Sequence, residues 1–263
     1  MFTSHSIGRW REAFFYALMF LTRLPVGRYV HGADAQIAAR AVYCYPMVGL
    51  VMGILLALAG SVFAGLGPLL AAALTLTLWV MLTGALHLDG LADCMDAYYA
   101  GHKLADETER RNRILEVMHD PACGAVALVS LVLVLLVKVA ALASLWQTGH
   151  WLLALVVAPV LGRTAILPFM ALGDYARGGG SVPANASASV QALWLVALIC
   201  SALVAVSLGV VAAAVVFAAL ALLIWFWWRL WLGQIGGYTG DCLGALVELS
   251  EVLVLVLLVA LCS

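Results

Sequence analysis

LLAAALTLTLWVMLTGALHLDGLADCMD, residues 69–96, holds no charge from Leu69 to Leu88 and then turns acidic, with Asp89, Asp93 and Asp96 in quick succession. A stretch of about 20 uncharged, apolar residues matches the thickness of a bilayer core, so the first part reads as a transmembrane helix and the second as its polar mouth. On a helix of about 100° per residue, Asp93 falls about 40° and Asp96 about 20° from Asp89, on opposite sides, so all three carboxylates share one face. Like charges gathered so closely repel one another unless a counter-ion sits among them. Hard oxygen ligands at this density suit Mg²⁺ or Mn²⁺. The competing reading is a solvated acidic helix start, because acids favour a helix N-terminus. At the mouth of a membrane span, where ionisable groups are expensive, the metal reading is preferred.

Working outward, the 263-residue chain is 65% hydrophobic and 10% charged, against about 25% charged residues in soluble domains. With mean hydropathy +1.09, it reads as an all-α, polytopic integral membrane bundle forming a single membrane-embedded domain over residues 1–263. Asp89 to Asp120 contains 12 of the chain's 27 Asp, Glu, Lys and Arg residues, so the chemistry should lie in the polar segment 89–123. The six cysteines form no C-x-x-C pair and no zinc spacing, which points to packing rather than metal or disulfide roles. Walker and Rossmann glycine patterns are absent. The net charge of −1 says little about partners, and a nucleic-acid partner is not expected; the lipid bilayer is.

Ahead of the first span, Arg9 and Arg11 precede the apolar stretch Ala13 to Leu21, and no small-residue cleavage site follows. That stretch is too short to cross comfortably and reads as an interfacial or re-entrant helix. Spans are expected at Val42–Leu66, Leu69–Leu88, Gly124–Trp146 and Trp151–Leu172. The apolar run Gln191 to Trp231 must fold as a hairpin near Ser207-Leu208-Gly209, and a seventh span runs from Leu243 to Leu261. Between the second and third spans a helix is expected from Asp106 to Met118, capped by Thr108. Gly173 to Ser189, with Arg177-Gly178-Gly179-Gly180, reads as a flexible linker. Seven spans put the Arg and Lys residues near positions 9–40, 103–113, 177 and 229 on one side, cytoplasmic by the positive-inside rule. The acidic segment and the second polar motif loop, 233–242, then face the cytoplasm together.

Several further residues are candidates. Asp120, before Pro121 and Gly124, either completes a four-carboxylate site with Asp89, Asp93 and Asp96 or caps the third span. Arg110 and Arg113, one helical turn apart, either clamp phosphates or pair with neighbouring Glu residues. Asp241 lies in Gly236-Gly237-Tyr238-Thr239-Gly240-Asp241, and Glu248 and Glu251 follow within the last span. Lys138 sits halfway through the third span, too deep to reach water, and calls for an acidic partner such as Glu248 or Glu251. Trp225 to Trp231 is indole-rich and reads as an interfacial aromatic belt.

Two functional classes compete on this ground. A membrane phosphotransferase of the CDP-alcohol type shares the beginning Asp89-Gly90-Leu91-Ala92-Asp93 but lacks the rest of that motif. A cation-coupled transporter should carry internal repeats and midplane charges, whereas these acids gather at one surface. A closer likeness covers almost the whole chain. Leu21-Thr22-Arg23-Leu24-Pro25-Val26, Pro46-Met47-Val48-Gly49-Leu50, His87-Leu88-Asp89-Gly90-Leu91-Ala92-Asp93 with Asp96, Arg113 to Asp120, Lys138, Gly162-Arg163, and Gly236 to Ala245 with Glu248 resemble the signature blocks of the cobalamin synthases, the adenosylcobinamide-GDP ribazoletransferases. His119, Pro121 and Tyr238 depart from that pattern.

The resemblance implies a bacterial inner-membrane enzyme that joins adenosylcobinamide-GDP to α-ribazole or its 5′-phosphate and releases GMP, with Mg²⁺. Other enzymes of nucleotide-loop assembly are then implied as partners. Laid over the residue reading, it makes Asp89, Asp93, Asp96 and Asp120 the metal ligands and Asp241 a further ligand or the base. Arg113 and Arg163 become phosphate clamps, with Arg110, Lys138 and Glu248 as further substrate-binding candidates.

Overall fold

The computed structural model describes residues 4–32, 34–176 and 188–262, with main chain alone at residues 4–7. Most of the linker expected at Gly173 to Ser189, including Arg177 to Gly180, lies outside the described residues. Eleven α-helices fill the described chain, and its one recorded β-type pairing is an isolated bridge between Tyr175 and Tyr238. Helix α1 (Ser4–Leu21) is longer than the apolar stretch that announced it. It packs on α2 (Ala35–Tyr43), a short helix that lies almost wholly ahead of the first expected span and was not expected from the sequence. Asp34 starts α2, its side chain accepting from the Ile37 amide at 2.8 Å, as an N-cap should.

The long helices follow the apolar runs closely: α3 (Tyr45–Phe63), α7 (Ala125–Gln147), α8 (Trp151–Leu172), α9 (Val190–Leu208), α10 (Val210–Ile235) and α11 (Gly240–Cys262). These six are long and apolar enough to cross a membrane. The hairpin turns at Gly209, whose φ of 78° suits glycine. The second expected span departs from its reading. It breaks into α4 (Pro68–Thr83) and α5 (Leu86–Gly101), bent 85° to each other, and makes a seventh crossing only if the pair counts as one. At about 1.5 Å per residue, the 16 residues of α4 reach about 24 Å, short of the roughly 30 Å hydrocarbon core. The helix expected from Asp106 to Met118 is α6 (Glu107–Val117), whose cap is Asp106, accepting from the Glu109 amide at 2.8 Å, rather than Thr108.

Helix α8 is the central post: 83% of its span window is buried, against 17% in α9 and 22% in α10, which present their apolar side chains outward. The pair Gly49 and Gly53 on α3 explains how closely that helix lies on α8. A Cβ at Gly53 would come within 2.7 Å of the Val156 Cα, and one at Gly49 would strike the Pro159 carbonyl. Small residues four apart give such close backbone packing where lipid supplies no hydrophobic drive between helices.

Candidate active site

Two successive left-handed residues, Gly84 at φ 59° and Ala85 at φ 61°, create the break that builds the site. They close α4: the Gly84 and Ala85 amides donate to the Met81 and Val80 carbonyls, each at 3.1 Å, satisfying acceptors that a helix end leaves open. The chain leaving α1 reinforces the break, with the Arg23 amide donating to the Leu82 carbonyl at 2.7 Å and the Arg23 side chain lying over Gly84. Helix α5 can then turn away from α4 and cross the beginning of α11. The crossing is close because both sides are glycine. A Cβ on Gly90 would sit 2.8 Å from the Asp241 carbonyl oxygen, and one on Gly244 would sit 3.4 Å from the His87 Cα.

This crossing brings two distant motifs onto one cavity of about 240 Å³. Asp89 and His87 contribute from α5, Asp241 from α11, Tyr45 from α3, and Phe20 and Met170 supply apolar wall. Asp89 is exposed, and Asp93, one turn further on, is half-buried. Asp241 accepts from the Thr239 hydroxyl at 3.2 Å, and that same oxygen accepts from the Cys242 amide at 3.4 Å, ordering the first turn of α11.

The other two carboxylates of the expected metal set are engaged differently. Asp96 reaches across to α7 and takes the Gly124 and Ala127 amides at 2.5 and 2.9 Å. It thus caps α7, the helix of the third expected span, a task that the sequence offers to Asp120. Asp120 is exposed and accepts from the Ala122 amide two residues on, at 2.9 Å. Among the described residues no three His, Cys, Asp or Glu side chains converge into a ready metal cage. Asp89 and Asp241 line the cavity, and Asp93 follows Asp89 one turn along the same face of α5. Hard oxygen donors of this kind fit Mg²⁺, which is usually bound through one or two carboxylates together with substrate phosphates and water rather than by an all-protein cage.

The arginines of α6 divide their work. Arg113 pairs with Glu116 at 2.8 Å on the surface, and Arg110 turns back to the Leu104 carbonyl at 3.5 Å. Arg111, passed over in the sequence, holds the second motif loop: Nε donates to the Ile235 carbonyl at 2.9 Å and Nη2 to the Ala176 carbonyl at 3.0 Å. Beside it, the Tyr238 amide donates to Asp174 and the Ala176 amide to Tyr238. The loops after α8 and α10 therefore meet at the same end of the bundle as the acidic helix.

Behind the cavity lies a buried charge network. Lys138 donates to Glu248 at 2.5 Å and also to Glu251, and its ammonium stands 4.9 Å from the centre of the Trp79 ring. Arg163 is fully buried, pairs through Nη1 with Glu251, and sets Nη2 3.3 Å from His87 Nδ1. The acidic partner expected for Lys138 is thus present twice over. Lys138, Glu248 and Arg163, expected against substrate, are enclosed between α7, α8 and α11 and, with Glu251, balance in charge; His87 connects them to the cavity. No spacing in the sequence gives His87 a role of its own; its three-dimensional neighbours reveal one. The tryptophan run is likewise more than a belt. Trp227 donates to the Cys242 carbonyl at 2.9 Å and Trp228 to the Leu172 carbonyl at 3.1 Å, while Trp225 faces outward.

Residues 13–259 match the family model described as cobalamin-5-phosphate synthase. The chain is 45% identical over 244 residues to a protein of Pseudomonas aeruginosa (strain PAO1) named adenosylcobinamide-GDP ribazoletransferase, covering 92% of this chain and 95% of that one. Proteins of the same name from Pseudomonas putida (strain W619) and Stutzerimonas stutzeri (strain A1501) are each 44% identical, over 92% and 91% of this chain and 96% and 94% of theirs. No solved structure matches the chain. With the acidic helix, the second glycine-rich loop and the buried Lys138 all inside the matched region, the chain belongs to the cobalamin-5-phosphate synthase family.

Proposed function

We propose that this protein is an adenosylcobinamide-GDP ribazoletransferase, joining adenosylcobinamide-GDP to α-ribazole or its 5′-phosphate with release of GMP. The observation that carries the reading is the cavity shared by Asp89 and Asp241, two motifs about 150 residues apart that close packing of Gly90 and Gly244 brings together. At about 240 Å³ the cavity is smaller than the roughly 300–1,000 Å³ pockets that enclose drug-sized ligands. It suits the diphosphate and the attacking hydroxyl and leaves a macrocycle outside, toward the membrane surface.

In this reading the acceptor hydroxyl attacks the phosphorus on the cobinamide side, a P–O bond forms, the bond to GMP breaks, and the hydroxyl proton passes to a carboxylate. Asp241, ordered by Thr239 at the start of α11, is the group proposed to take that proton. Asp89, with Asp93 one turn along α5, would hold Mg²⁺, which when bound would offset the charge that gathers on the phosphoryl oxygens and on departing GMP. Asp96, through its hold on Gly124 and Ala127, keeps α7 against the acidic helix. The apolar side chains of Phe20 and Met170 keep water from competing as nucleophile. We further assign the protein to the bacterial inner membrane with this end of the bundle in the cytoplasm, on the strength of the basic residues gathered there.

The test is GMP release by purified protein in lipid vesicles, given adenosylcobinamide-GDP, α-ribazole 5′-phosphate and Mg²⁺. Asp93→Asn keeps the shape and loses the charge; removal of one group that stabilises developing charge costs about 10²–10³ in kcat, so release should fall by that order. Near-normal release that EDTA does not affect would refute the metal-dependent reading.

A further inference from the structure

His87 forms part of the cavity wall beside Asp89 and is 2% exposed, yet its Nε2 has no hydrogen-bond partner among the described residues. Its other nitrogen, Nδ1, stands 3.3 Å from Arg163 Nη2. A guanidinium only donates and keeps its charge in proteins, so Nδ1 must be the acceptor and the ring hydrogen must sit on Nε2. Arg163 is not free to turn away, because Glu251 holds its Nη1. What remains is a buried N–H on a residue that lines the cavity, with no acceptor among the described residues, an arrangement that costs free energy until a ligand supplies one.

We propose that Arg163 holds His87 as the neutral Nε2–H tautomer and that this N–H donates a hydrogen bond to a phosphate oxygen of the diphosphate bound in the cavity. An anionic oxygen is the strongest acceptor for such a donor, and a donor fixed in advance needs no reorganisation as charge develops. The same geometry denies His87 the role of base, since Nε2 already carries its proton and Nδ1 faces a cation. The hydroxyl proton must therefore leave through a carboxylate. The buried network of Lys138, Glu248, Glu251 and Arg163 acquires a purpose as well: it positions one donor. The proposal rests on the functional reading for the identity of the diphosphate, while the tautomer rests on the geometry alone.

The experiment combines nitrogen-15 spectra of the histidine-labelled full chain in lipid with kinetics of three variants. The His87 signals, identified by their loss in His87→Gln, should show a pyrrole-type Nε2 and a pyridine-type Nδ1, and inorganic pyrophosphate with Mg²⁺ should shift Nε2. His87→Ala should lower GMP release about 10- to 100-fold, the scale for loss of one donor to a charged oxygen. His87→Gln, whose amide nitrogen reaches the Nε2 position, should restore most of it, and His87→Asn, which matches Nδ1, should not. An Nδ1–H or imidazolium signal, an Nε2 that pyrophosphate leaves unmoved, or wild-type turnover in His87→Ala would overturn the proposal. The spectra of the wild-type chain decide it even if a variant fails to fold. If pyrophosphate shifts Nε2 but the wild-type chain releases no GMP from adenosylcobinamide-GDP, the functional reading fails and the donor assignment stands.

Discussion

Replacing Lys138 by Met keeps an unbranched stem in the core and removes the charge that Glu248 pairs with. Lys138 and Glu248 are 2% and 3% exposed, so neither can be compensated by solvent. Glu251 retains Arg163, and the change therefore strands one carboxylate rather than two. Breaking a buried pair by removing one partner costs about 3–5 kcal/mol. At about 2–4 °C per kcal/mol for a chain of this size, the loss corresponds to roughly 6–20 °C in Tm. The assay is thermal unfolding in lipid nanodiscs followed by tryptophan fluorescence, which is sensitive here because Trp79 lies beneath the ammonium. The second substitution makes the reasoning specific. Lys138→Met with Glu248→Gln also removes the stranded carboxylate charge and should recover most of the lost Tm. Lys138→Met with Glu251→Gln leaves Glu248 and Arg163 both unpaired and should recover little. An unchanged Tm in Lys138→Met, or equal recovery in the two double variants, would refute the network as drawn.

Asp96→Ala should destabilise the chain by about 0.5–2 kcal/mol, the usual loss for a helix cap, and speed amide exchange at Gly124 and Ala127, whereas Asp96→Asn, which retains an acceptor, should lose less; equal exchange in Asp96→Ala and wild type would argue against the cap. Arg111→Lys keeps the charge but not the two-pronged geometry that spans the Ile235 and Ala176 carbonyls, so hydrogen exchange should quicken across 174–176 and 236–241 and GMP release should fall, with unaltered exchange in both stretches counting against it. Ala85→Gly relieves a side chain held in the left-handed region, which costs about 1–2 kcal/mol, against about 0.4–1 kcal/mol of added unfolded-state freedom. The variant should unfold at the same or a slightly higher temperature, and a clearly lower Tm would show that the break at residue 85 is not strained.

The membrane character of this protein was legible in its sequence because hydrophobic length is a one-dimensional property: a run such as Trp151 to Leu172 spans wherever its neighbours lie. The hairpin at Gly209 followed from length alone, and the acidic face of α5 from helical periodicity. Lys138 announced its need for a carboxylate because depth along a span can be counted in residues. What the chain could not disclose in one dimension was every decision made by two segments meeting. The 85° break at Gly84-Ala85 depends on carbonyls closed by local left-handed turns and by Arg23 from another element. The cap of α7 comes from Asp96, 28 residues before Gly124, so proximity in sequence favoured Asp120 for the wrong reason. Arg163 reads as a phosphate clamp when only its charge is known, and as a buried strut once Glu251 and His87 are seen around it. His87 itself has no signal in spacing at all. A hydrogen-bond donor is defined by what faces each of its atoms, and that is settled only when α5, α8 and α11 pack.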